Sequence, residues 1–172
     1  MNLRDAILRE HSKANTTVVA KWVGDDKQRF DALMDLFLKG EYRVTQRAAW
    51  IVSYCAEANP KLIQPYIGKM IKRATKPDVH VSVARNVARV LQFVEIPKKD
   101  LGNVVNFCFN ALVDPSAAIA VQAHAMTVLT NVCKREPELK RELRTAVEAL
   151  LPNGSAGIKS RARKTLAQLE KI

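Results

Sequence analysis

Six side chains in the first hundred residues have the types and spacing to grip an anion. Arg43, Arg47, Trp50 and Tyr54 climb by four, three and four residues, and Arg85 and Arg89 stand four apart. On helices those steps place each set on one side. Guanidinium groups engage carboxylates and phosphates through paired N–H donors, and they stack on aromatic rings. Trp, Tyr and Arg are also enriched where protein interfaces draw their energy. The same set suits base stacking and phosphate contact. The expectation is one binding patch made by all six. The alternative is that Trp50 and Tyr54 pack against a neighbouring helix, which leaves only a few solvated arginines.

Other chemistry finds little support. Ser53 and Ser82 lack the glycine context of a hydrolase nucleophile. Asn153-Gly154-Ser155-Ala156-Gly157 reads as a loop before a helix, not as a phosphate cradle. His11, His80 and His124 have no second His or Cys at ligand spacing. The cysteines Cys55, Cys108 and Cys133 are odd in number and match no zinc pattern. They read as reduced thiols, Cys55 and Cys108 in the core, and point to a cytoplasmic protein. No metal, no cofactor and no catalysis are expected. Charges interrupt the N-terminal apolar pattern, so it lacks a signal-type core, and no stretch is apolar enough to span a membrane.

The elements that must hold the patch repeat along the chain. Val44, Ala48, Ile51, Val52 and Cys55 form a helical apolar stripe. It returns at Val83, Val87, Val90, Leu91 and Val94, then at Val121, Ala125, Val128, Leu129 and Val132. Its last copy is Ile158, Ala162, Thr165, Leu166 and Leu169, with steps of 39, 38 and 37 residues between first members. A second stripe precedes each one, at Phe30–Leu38, Ile63–Ile71, Val104–Leu112 and Leu143–Leu151. Such self-similarity marks stacked two-helix units that cannot bury their apolar faces alone. We call the front helix of each unit A and the stripe helix B. Turns bearing Gly40, Pro77, Pro115 and Pro152 join A to B. Asp78, Ser116 and Ser155 are the expected helix caps. Pro60, Pro97 and Pro137 precede or open the A helices.

At 172 residues and 48% hydrophobic content the chain reads as one folded domain, 1–172, with a net charge of +11. That charge favours acidic partners, or serves solubility alone. It is unevenly spread. No Lys or Arg occurs from Leu101 to Cys133, whereas Lys134 to Ile172 carries ten against five acids. Rows away from the B stripe predict what the units present. One is Trp50, Arg89, Thr127 and Lys164; another is Arg47, Asn86, His124 and Arg161; a third is Tyr54, Phe93, Asn131 and Gln168. Ser82 falls on the same side. His124, Arg161 and Lys164 thus join the six residues above as expected partner contacts.

The V-x-x-x-A-x-x-ϕ-L pattern (ϕ apolar), clearest at Val121, Ala125, Val128 and Leu129, resembles HEAT-type repeats, here of a bacterial type. The resemblance covers residues 26–172, with 1–25 as an N-terminal cap. It implies an all-α fold, a right-handed α-solenoid of about four HEAT-like helix pairs plus that N-terminal helical cap, with B helices lining a concave face. It also implies a non-catalytic scaffold that binds a protein or acidic ligand there. A nucleic-acid binder using the basic concave and C-terminal surfaces is the alternative. A third reading is a DNA alkylation repair glycosylase, a class that includes HEAT-like folds. It needs a concave carboxylate among aromatics, and here the only acid near the middle of the B-helix faces is Glu57.

Overall fold

Every regular element in the computed structural model, which describes residues 1–172, is helical. The N-terminal segment forms α1 (Leu3–Arg9) and α2 (Lys13–Val23). The A helices follow as α3 (Lys27–Lys39), α5 with α6 (Pro60–Ile63 and Ile67–Ala74), α8 (Lys98–Val113) and α10 (Lys140–Leu150). The B helices are α4 (Tyr42–Ala58), α7 (Val81–Leu91), α9 (Ile119–Cys133) and α11 (Ala156–Leu169). Each apolar stripe thus lies on one helix, apart from Val94, which falls three residues past α7. The second A helix is interrupted. Pro65 lacks an N–H, and the chain passes through a 3₁₀ turn at Gln64–Tyr66 before α6 begins.

The expected register is observed. Ala48, Val87, Ala125 and Ala162 are each 0% exposed. Alanine here lets the helices approach closely, while Val44, Val52, Val83, Val121 and Val128 fill the stripe around it. The chain divides into two compact units, Met1–Asp100 and Leu101–Ile172, with the boundary in the first turn of α8. In the first unit α4 packs on its own A helix, α3, and against α1, α2 and α7. Phe30, Leu33, Met34 and Phe37 are the part of α3 that fills this core. In the second unit α9, α10 and α11 pack on one another around Met126, Leu129, Leu143 and Val147.

Two capping expectations are corrected. Asp78 does not cap α7; His80 does, accepting from the Ser82 N–H at 3.2 Å through Nδ1. Ser116 does not cap α9 either. It donates its N–H and O–H to the Asp114 carboxylate at 2.8 and 2.6 Å, which closes the turn, and α9 starts after Ala118. Ser155 caps α11 as expected, accepting from the Ile158 N–H at 3.3 Å. In these turns several polar residues compete for the cap position, and the backbone path selects the winner.

The three thiols are buried and unbridged. Burial pushes Cys55 and Cys108 up to about 12, and it raises Cys133 too. No helix is long and apolar enough to cross a membrane.

One stripe position breaks its own pattern. Ile51, Val90 and Val128 are the counterparts of Thr165, whose buried hydroxyl meets no partner. An unsatisfied buried hydroxyl costs about 1–3 kcal/mol, and valine has nearly the same shape. Thr165→Val is therefore expected to stabilise the protein by about 1 kcal/mol, read from the urea midpoint. An unchanged or lower midpoint would mean that the hydroxyl has an acceptor.

Candidate binding face on α4 and α7

Tyr42 to Ala58 is long enough for α4 to present Arg43, Arg47, Trp50 and Tyr54 over about three turns. Arg43 is exposed, and the other three are half-buried. Each has a different environment. Arg47 Nη1 donates to the Leu8 carbonyl at 2.7 Å and reaches the Ile7 carbonyl at 3.5 Å. Those carbonyls belong to the last turn of α1, where no intrahelical donor remains and the helix dipole favours a cation. A seven-residue helix is marginal alone, so Arg47 fastens α1 to α4.

Trp50 meets the ring of His11 edge-on at 5.5 Å between centroids. Tyr54 meets Trp50 in the same manner at 6.4 Å. Arg89 on α7 lies over the Tyr54 ring at 5.4 Å, and its Nη2 is 3.3 Å from the Glu57 carboxylate. The result is a ladder that runs His11, Trp50, Tyr54, Arg89, Glu57 across two adjacent B helices. Edge-on aromatic pairs and an arginine over a ring each contribute about 0.5–1.5 kcal/mol. The ladder fixes the ring orientations while leaving the outer surfaces of Trp50 and Tyr54 partly open.

Arg85 lies one turn before Arg89 and is exposed. Neither Arg85 nor Arg43 pairs with a carboxylate. Beside Arg43 opens a cleft of about 540 Å³ lined by Leu8, Glu41, Tyr42, Arg43 and Arg47. Glu41 is engaged by Arg4, and the exposed Tyr42 ring meets His80 edge-on at 5.2 Å. The first unit therefore holds all six expected residues. Trp50, Tyr54 and Arg89 touch in series, Arg47 is committed to a backbone, and Arg43 and Arg85 are free cations.

Two residues expected on the open side are not there. Ser82 and Asn86 are 4% and 5% exposed, and the Asn86 amide donates to the Ser82 carbonyl at 2.8 Å. Side-by-side B helices cover each other's flanks, so a row half a turn from the stripe centre is only partly open. In the second unit, considered by itself, His124 on α9 and Arg161 on α11 are half-buried and Lys164 is exposed. No group of three or more His, Cys, Asp or Glu side chains could hold a metal ion. The Glu57 carboxylate is half-exposed and already held by Arg89.

Sequence reasoning missed His11, Tyr42 and His80 as members of this face. One signal was present for Tyr42. It stands two residues before its stripe, as Val81 and Ile119 do before theirs, and all three are more than half exposed.

A family model described as a HEAT repeat domain matches residues 3–169. Neither a curated protein nor a solved structure matches the chain.

Proposed function

The chain belongs to the HEAT repeat family, and from that premise we propose that it is a non-catalytic interaction module holding an acidic protein segment on the α4–α7 face. HEAT repeats mediate protein interactions and are typically non-catalytic. The observation that carries the finer reading is the pairing of fixed rings with free cations. Trp50 and Tyr54 are oriented by His11 and Arg89, while Arg43 and Arg85 have no acid of their own. A partner carboxylate would supply the missing counter-charge, and the half-open rings would cover its apolar neighbours. Buried, unbridged thiols suit a reducing compartment, so the cytoplasm is the proposed location.

Arg47 and Arg89 are poor residues to reverse in a test, because one fastens α1 and the other orders Tyr54. Arg43→Glu with Arg85→Glu is the informative variant. A synthetic Glu-rich peptide carrying tyrosines serves as the probe. Wild-type binding should weaken with added salt, and the double variant should lose at least tenfold in affinity at an unchanged melting temperature. A tenfold loss corresponds to about 1.4 kcal/mol. Equal binding by both proteins, or no binding by wild type, would overturn the assignment. A random duplex in the same titration separates this reading from nucleic-acid binding on the concave and C-terminal surfaces. Its signature would be a loss on changing Arg161 and Lys164 together.

A further inference from the structure

Between Pro60 and Pro77 the chain carries five bases and no acid. Four of them share one side: Lys69, Lys72 and Arg73 on α6, and Lys76 just past its end, at i, i+3, i+4 and i+7. Lys69, Lys72 and Lys76 are exposed. None of the four pairs with a carboxylate, and Arg73 Nε meets no acceptor in the protein. The contrast with α3 is sharp. There Lys27, Arg29 and Lys39 pair with Asp31, Asp26 and Asp35.

The next A helix brings two more exposed bases near this row. An added Cβ on Gly68 would lie 2.7 Å from the Asp100 carboxylate, so the first turn of α8 passes beside α6 at that point. Exposed Lys98 and Lys99 are the first two residues of that turn. Folding does not account for the whole row. Bases near the C-terminal end of α6 suit its dipole, but Lys98 and Lys99 sit at a helix N-terminus, where cations are disfavoured. The like-charged neighbours on α6 repel one another as well.

We propose that this A-helix row is a docking track for the phosphate backbone of a nucleic-acid duplex, separate from the α4–α7 face. The composition selects that occupant. Protein interfaces are poor in lysine and built around apolar anchors. Peripheral membrane helices insert large apolar side chains. This row has neither kind of anchor, since no large hydrophobic residue between Pro60 and His80 is exposed. A row of lysines without anchors matches sequence-independent contact to phosphates, which positions a duplex without reading it.

The test is fluorescence anisotropy of the full chain with a random-sequence 20-base-pair duplex at several salt concentrations. About five phosphate contacts give a slope of log K against log salt near −4.5, or a roughly 10²–10³-fold loss from 50 to 200 mM salt. Lys72→Ala with Lys76→Ala should flatten the slope by about 2. Lys98→Ala with Lys99→Ala should do the same, which guards against a local defect in α6. Lys13→Ala with Lys21→Ala removes equal charge from exposed positions on α2 and should leave the slope unchanged. An equal effect from all three pairs would reduce the binding to net charge and overturn the track. Absence of duplex binding would overturn it too, as would binding to phosphatidylserine vesicles without duplex binding.

Discussion

Leu91→Ala and Leu129→Ala are each expected to cost about 2–5 kcal/mol, the range for buried leucines whose cavities collapse only in part. The two residues occupy the same repeat position, and they are 1% and 0% exposed. Each follows a stripe valine, Val90 or Val128, that is also fully buried. Leu91 closes the last turn of α7, which packs on α4 and α6. Leu129 lies on α9, which packs on α10 and α11. Each leucine thus sits on a helix with two packing neighbours, and losses of similar size are expected for the two variants. Urea unfolding followed by far-UV circular dichroism measures both. Trp22 and Trp50 lie in the first unit, so fluorescence reports on the unit that holds Leu91. A loss below about 1 kcal/mol would mean that the site repacks or that the stripe is not the core.

The stripe was legible because its signal is a period. Apolar spacing of 3.6 residues follows directly from helix geometry, and four copies at nearly constant steps reinforce one another. The candidate face was legible only in its own residues. Part of what surrounds it comes from the N-terminal segment, which matches the repeats poorly and therefore offers no period to align. His11 lies thirty-nine residues before the Trp50 it touches, and nothing in either local sequence points to the other. Arg47 is a stronger case. Its partners are the backbone carbonyls of Ile7 and Leu8, and every residue has a carbonyl. Residue types alone cannot show which arginine a frayed helix end will claim. The burial of Ser82 and Asn86 escaped for a third reason. A helical wheel places residues around one axis, whereas exposure depends on the neighbouring B helix. The basic row on the A helices was visible as a run without acids. Its extension to Lys98 and Lys99 depends on the approach of α8 to Gly68, which only the fold supplies.

Gly40 and Gly154 carry the second large effect, and close approach causes it, since neither glycine has a positive φ. Both stand four residues before the first stripe residue of a B helix. An added Cβ at Gly40 would overlap the Leu36 carbonyl oxygen and lie 3.0 Å from Val44 Cγ1. At Gly154 it would lie 2.6 Å from the Leu150 carbonyl oxygen and 2.8 Å from Ile158 Cγ2. The obstacle is backbone on one side and a buried stripe residue on the other, so neither can yield cheaply. The two middle repeats hold Val79 and Ala117 at this position. Their N–H groups close turns onto Lys76 and Asp114, at 3.2 and 3.1 Å, and the chain enters the B helix by a different path. Alanine also stiffens the unfolded chain, which by itself stabilises by about 0.4–1 kcal/mol. The clash should exceed that gain, for a net loss of about 1–3 kcal/mol in Gly40→Ala and in Gly154→Ala. Gly102 provides the opposite sign. It lies inside α8 with nothing within 4 Å of an added Cβ, so Gly102→Ala should gain up to about 1 kcal/mol. Urea midpoints of the three variants decide the matter. If Gly40→Ala and Gly154→Ala rise alongside Gly102→Ala, the close approach of A-helix carbonyl to B-helix entry is not what fixes these glycines.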